Sequence, residues 1–284
     1  MRTYGPRKVS EMARVELRPI AVIAGKEFWD RIRNWWVLAV ALVFTVFALV
    51  IAYFGSAQAG AVGFRGIEIT IASLTSLVIY LVPLIALILG FDAIVGERER
   101  GSLDLLLSLP ITRFELLLGK FLGLSAALAF STVAGFGLVG VILSYKLDTA
   151  ALFHYAGFMA SSILLGMAFL SLAVTVSVLA SDRTRASGAA IAVWFFFVLV
   201  FDLLLLGALV ATGGEVGMQV FPYLLLANPA DVFRILNIFG MEDVRTLYGL
   251  ATVFPEALAS PWLLGGVMLA WIVAPLSLAV WRFK

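Results

Sequence analysis

The sequence has no cysteine and a single histidine, His154. Disulfides, thiolate nucleophiles and cysteine-based metal sites are therefore excluded, and no histidine cluster can form within the chain. Charge is scarce as well. Only 13% of the 284 residues are Asp, Glu, Lys or Arg, and 62% are hydrophobic, against roughly 25% charged in an ordinary globular domain. So few charges cannot cover so much apolar side chain in water, and lipid must solvate most of the chain. The Gly-x-x-x-x-Gly-Lys-Ser/Thr phosphate loop is missing too: Gly119-Lys120 is followed by Phe121 and lacks the earlier glycine. Any ATP chemistry must come from another chain. No short h-region with a small-residue cleavage site precedes the first apolar run, so the first span is expected to act as the insertion signal.

What is present is a series of long apolar runs. About 20 residues at 1.5 Å rise cross a hydrocarbon layer of ~30 Å. That measure predicts six spans, at Trp35–Phe54, Ile69–Val95, Leu116–Leu143, Leu152–Ala180, Ser187–Val210 and Trp262–Trp281. The fold class expected is an all-α integral membrane protein. It comprises a cytoplasmic segment over 1–34 and a six-span domain over 35–284, with no soluble catalytic domain. With the N-terminus inside, sixteen Lys and Arg fall on inside segments and four outside (Arg65, Lys146, Arg234, Arg245). Positive residues favour the cytoplasmic side, so both termini are expected there. The longest gap, 211–261, is predicted to be an outer loop.

Two cytoplasmic segments carry further information. Before the first span, AGKEFWDRIRNWW places Phe28, Trp29, Ile32, Trp35 and Trp36 on one face of a helical wheel. Lys26, Glu27, Asp30, Arg31 and Arg33 take the other face, as a helix lying on a membrane surface requires. In the second inside loop, Gly96 through Arg100 form a charged bracket. Ser102 is a candidate helix cap and Asp104 suits a helix N-terminus. Leu103, Leu106 and Leu107 then recur at helical spacing until Pro110 ends the run. An apolar helix outside the bilayer needs something to cover it, either lipid or a groove on a cytoplasmic partner.

The stretch GERERGSLDLLLSLPITRFELLLGK resembles the signature of the ABC-2 type transporter permeases: Glu-x-Glu-x-Gly-Ser/Thr-Leu, then leucines, a proline, an arginine and Gly-Lys. The matching positions are Glu97, Glu99, Gly101, Ser102, Leu103, Leu106, Pro110, Arg113, Gly119 and Lys120. The resemblance implies a permease that forms a homodimer and binds two copies of a separate ABC ATPase subunit, which holds the ATP and Mg. It also implies that the loop over 96–115 is a coupling helix, with Glu97, Glu99, Gly101, Ser102, Leu103, Leu106, Pro110 and Arg113 as ATPase-coupling residues, and that AGKEFWDRIRN is the family's elbow helix. FDAIVGERERGSL, WFFFVLVFDLLLL and PYLLLANPADVFRILN further resemble the permease subgroup of the Nos system, which supports copper-site maturation in nitrous oxide reductase. That likeness implies a periplasmic β-helical partner, contacted by Asn228, Pro229, Asp231 and Arg234. Arg98 and Arg100 make the acidic bracket more charged here than in the family pattern.

Physically, Asn228 is a good N-cap and Pro229 a good first residue for a short amphipathic helix, either at the outer interface or packed as a lid over the spans. Asp92 stands near the inner end of the second span. Asp202 lies deep in the fifth, where a carboxylate must face protein or water, lining a path or bonding a neighbouring helix. With no Cys, one His and Met159, Met167 and Met268 reading as packing residues, the chain offers no ladder of copper ligands and no metal site. An intramembrane hydrolase would require Asp92 and Asp202 to meet. A channel working without an ATPase would leave the leucine helix without a purpose.

Overall fold

The computed structural model describes residues 16–54, 67–144, 149–211, 217–238, 258 and 260–283, and these residues contain helices and no strand. In chain order the helices are α1 (Leu17–Arg33), α2 (Trp36–Phe54), α3 (Ile67–Gly90), α4 (Val95–Glu99), α5 (Ser102–Leu107), α6 (Arg113–Ser144) and α7 (Thr149–Leu179). They continue with α8 (Arg183–Phe195), a π-helical turn (Phe196–Val200), α9 (Phe201–Ala211), α10 (Gly217–Leu225), α11 (Pro229–Ile238) and α12 (Pro261–Arg282). In lipid a helix satisfies every backbone polar group within its own segment, which is why apolar runs of this length take that form.

Among the described residues, five helical stretches are long and apolar enough to cross a membrane: Thr70–Glu99, Arg113–Ile142, Leu152–Leu179, Arg183–Ala211 and Pro261–Arg282. A sixth arises if α1 and the first part of α2, bent by 64° to each other, are taken as one broken span. At that bend Trp35 has φ +58, a left-handed conformation that a bulky residue adopts at a cost of about 1–2 kcal/mol. The second expected span corresponds to Thr70–Glu99 and contains a turn. α3 ends at Gly90, and the chain turns before α4 resumes the helix at Val95.

α7 lies at the centre, packed on α3, α12 and α6, while α1 and α2 both lie along α6. The core is aromatic as well as aliphatic: Phe44, Phe136, Phe158, Phe169 and Phe233 are fully buried. Phe44 stacks on Phe136 at 4.9 Å, and Phe136 meets Phe158 edge-on at 5.5 Å. Among the described residues three prolines lie inside helices, Pro83 in α3, Pro222 in α10 and Pro275 in α12. Around Pro275, α7 supplies hydroxyls: Ser171 donates to Ile272 O and Thr175 to Pro275 O, both at 2.7 Å. Hydroxyls of one helix thus bond main-chain carbonyls of another beside the proline.

α1 departs from the expected surface helix. It begins at Leu17 rather than near Ala24, and Ile20, Ile23, Ala24 and Glu27 face α6. A Cβ on Gly123 would come within 2.5 Å of Ala24 O, and one on Gly119 within 2.8 Å of the Ile23 side chain. The Gly-x-x-x-Gly spacing lets the two backbones approach this closely. Glu27, read from the wheel as water-facing, is therefore 7% exposed. Trp29 remains exposed on the other side.

The predicted outer loop requires a larger correction. Among the described residues of 211–261, α10 and α11 form a helical pair whose turn reaches the middle of the spans. Trp271 Nε1, halfway along α12, donates to Leu226 O at 3.2 Å. Asn228 Nδ2 donates to Phe197 O, halfway along Arg183–Ala211, at 2.9 Å. α11 is packed against α3, α7 and α12, so it is inserted among the spans rather than floating at the outer interface.

Candidate functional site

The loop between α3 and α6 is held by polar contacts to the facing turn between α7 and α8. Ser177 Oγ accepts from the backbone N–H of Ile94 (2.9 Å) and of Val95 (3.0 Å), satisfying two donors at the start of α4. Arg98 donates to Ala180 O at 2.8 Å and to Val178 O at 3.3 Å, carbonyls at the C-terminal end of α7. The Glu99 carboxylate accepts from the Arg183 backbone N–H at 2.8 Å. Asp92 Oδ2 accepts from Arg183 Nη2 at 2.9 Å, and Oδ1 lies 2.7 Å from Nε as an ion pair. The same turn carries the N-cap of α8, where Asp182 accepts from the Arg185 N–H at 2.8 Å. That bond, aided by the Ser181 hydroxyl, holds the Asp182 carboxyl below its ordinary value.

α5 projects from this anchored base. Gly101 precedes it with φ +70, which allows the sharp change of direction between α4 and α5. Ser102 is not the cap expected of it. It is the first helical residue, and its hydroxyl donates back to Glu97 O at 3.3 Å. The leucine face is also phased differently. Leu103 is buried, Leu106 and Leu107 are half-buried against the core, and Asp104, Leu105, Ser108, Leu109 and Pro110 are exposed. Leu105 is 71% and Leu109 53% exposed. The residues available to a partner are thus Leu105 and Leu109, and Leu103 and Leu106 seat the helix on its own chain.

Beyond Pro110 the start of α6 is tied down. Thr112 and Glu115 form a reciprocal capping box: Thr112 Oγ1 accepts from Glu115 N at 3.1 Å and Glu115 Oε2 accepts from Thr112 N at 2.7 Å. Glu115 Oε1 also accepts from Glu16 N at 2.6 Å. Arg113 donates to Phe283 O at 3.4 Å, joining the loop to the end of α12.

The groups that sequence reasoning missed lie beneath the loop. Lys120 Nζ contacts Glu27 Oε1 of α1 and Glu97 Oε1 of α4, both at 2.7 Å, with its side chain 4% exposed. One buried ammonium thus joins the elbow helix, the loop and the third long span. The available signal was a lone Lys within the apolar run FELLLGKFLGL, because a buried cation requires an anion.

A second charged group sits at membrane depth. Asp202 accepts from Arg234 Nη2 at 3.1 Å, and the other guanidinium nitrogen, Nη1, bonds Asp231. Asn228 caps α11 through Ala230 N at 3.0 Å and donates to Asp231 Oδ2 at 3.0 Å. Asp202 of α9 is thus bonded to α11 through Arg234. Asn228, Pro229 and Asp231 are buried, so of the four residues expected to meet an outer partner only Arg234 keeps appreciable surface. Asp92 and Asp202 bind different arginines. Among the described residues, no group of three His, Asp or Glu side chains is placed to hold a metal ion.

Comparison with known proteins gives a consistent result. The family model described as ABC-2 family transporter protein matches residues 21–284. A Pseudomonas aeruginosa protein named "Probable ABC transporter permease protein NosY" is 45% identical over 268 residues, 92% of this chain and 96% of its own length. A protein of the same name from Stutzerimonas stutzeri is 43% identical over 269 residues, again 92% of this chain and 96% of its own.

Proposed function

The chain belongs to the ABC-2 family of transporter proteins, and we propose that it is a permease subunit whose α5 docks on a separate ABC ATPase and passes the ATPase's motion to the membrane helices. The observation that carries this reading is the pairing of an exposed apolar tip with a base bonded to several helices. Leu105 and Leu109 stand exposed, while Arg98, Glu99, Arg113 and Glu97 tie the loop to four different helices. An apolar helix face entering a groove is a common docking mode, and contacts to four helices let a push on the tip reach the spans. The chain would act in the inner membrane with both termini cytoplasmic. It would work as a homodimer with two ATPase copies, in copper-site maturation of nitrous oxide reductase. Because Asn228, Pro229 and Asp231 are turned inwards, contact with a periplasmic partner would fall to Arg234 and to residues outside the described set.

The test uses the lack of native cysteine. A Leu105→Cys variant, co-expressed with its ATPase, should cross-link to single cysteines in the ATPase's surface groove, and the cross-link should change with ATP. Failure both to cross-link and to co-purify would overturn the reading and leave a channel or scaffold without an ATPase as the better account.

A further inference from the structure

We propose that Lys120, Glu27 and Glu97 form a releasable clasp, in which Glu97 is the moving arm and Glu27 the fixed one. Three observations carry this. First, two carboxylates share one ammonium at equal distance, 2.7 Å each, in a site where all three side chains are at most 10% exposed. The group carries one more negative charge than positive, so separating either carboxylate leaves a neutral pair behind. Breaking an isolated pair would instead strand a buried charge. Second, the arms differ. Glu27 also lies 3.7 Å from Lys26 Nζ, and its helix is locked against α6 at Gly119 and Gly123. Glu97 Oε2 is buried and accepts no hydrogen bond from the described residues, and its helix, α4, has only five residues. Third, Glu97 is continuous with the loop. Its carbonyl accepts from the Ser102 hydroxyl at the first residue of α5, so lifting α5 draws on Glu97.

The clasp therefore makes Lys120 a positioning residue: it holds the loop down while allowing release at low electrostatic cost. Its importance for coupling rests on α5 being the ATPase-docking element, whereas the clasp itself can be tested on the chain alone.

Release of the loop would expose Leu103, which is 7% exposed when the loop is seated. In a Leu103→Cys background, the rate of maleimide labelling in membranes reports lifting. Glu97→Gln weakens the moving arm and should raise the rate about tenfold, the equivalent of about 1.4 kcal/mol in a charge-assisted hydrogen bond. Glu27→Gln removes the competing anion, leaves Lys120 wholly to Glu97, and should lower the rate. Lys120→Met removes the ammonium that both carboxylates share and should raise it further. A merely structural cluster predicts that Glu27→Gln and Glu97→Gln loosen the loop alike. Movement of both in the same direction, no change in either, or the reverse order would overturn the clasp. Should Lys120→Met fail to fold, the two glutamine variants decide alone. If they behave as expected but no ATPase co-purifies with the chain, the clasp stands and the coupling reading falls.

Discussion

Replacing Arg234 with methionine is the most direct test of the charged group among the spans. Asp231 is 1% exposed, while Arg234 and Asp202 are 37% and 39% exposed. Removing the arginine leaves Asp231 with one amide donor, Asn228 Nδ2, and leaves Asp202 without its guanidinium. Loss of one partner from a fully buried pair costs about 3–5 kcal/mol. The partial exposure of Arg234 and Asp202 lowers the expectation to about 2–3 kcal/mol. Asp202→Asn acts oppositely on the charge balance: it leaves a neutral Arg234–Asp231 pair and should cost no more than about 1 kcal/mol. Arg234→Met combined with Asp231→Asn should recover part of the loss, because it removes the stranded buried carboxylate. Thermal and denaturant unfolding of the purified variants in one lipid–detergent mixture would rank them. If Arg234→Met proved no worse than Asp202→Asn, or if Asp231→Asn rescued nothing, the arginine would not be neutralising a buried charge and α11 would be held by packing alone.

Three other outcomes follow from the geometry. Gly123→Leu should push α1 off α6, because even a Cβ lies 2.5 Å from a backbone oxygen; the overpacking should cost about 1–3 kcal/mol, read as a lower melting temperature, while Gly188→Leu, with nothing within 4 Å of its Cβ, should be tolerated. Leu105→Asp should leave the melting temperature unchanged but abolish ATPase co-purification, whereas Leu106→Asp should lower stability, because Leu106 packs against the core. Asp182 is held below its ordinary 3.8 by the Arg185 N–H and the Ser181 hydroxyl, so its contribution is complete above that pH and is lost as pH falls through the lower, folded-state value. Hydrogen exchange at Arg185, corrected for its intrinsic rate, should speed up over that acid range in the parent protein, and Asp182→Ala should show the faster exchange at every pH.

The long helices were legible because a run of about twenty apolar residues has few alternatives in a bilayer. The α5 helix was legible as an element but not in its phase. Leu103, Leu106 and Leu107 share one face, and a wheel cannot tell a face that meets a partner from one that meets its own chain. α11 shows the same limit. Its start at Asn228-Pro229 follows from capping chemistry, yet an amphipathic helix at an interface and one inserted between spans carry the same pattern. What separates them is distant: Ser161 bonding Asn237 at 3.1 Å and Phe197 O accepting from Asn228. Glu27 was assigned to water for a related reason, since its neutralising charge lies 93 residues away on α6.

The placement of charge in this apolar chain follows a rule that the separate sites share. Several buried or membrane-depth carboxylates described above are met by a cation from a different helix or by donors from a neighbouring turn: Glu27 and Glu97 by Lys120, Asp202 by Arg234, and Glu115 by the backbone N–H groups of Thr112 and Glu16. Apolar side chains against lipid give little preference for one helix neighbour over another, because lipid tails solvate them equally well. Ion pairs do discriminate, since a wrong neighbour strands a charge. The few charges therefore specify which helices meet, and the glycines at 119 and 123 set how closely. A charge-conserving swap between a pair, such as Lys120→Glu with Glu97→Lys, should then retain more stability than either single change.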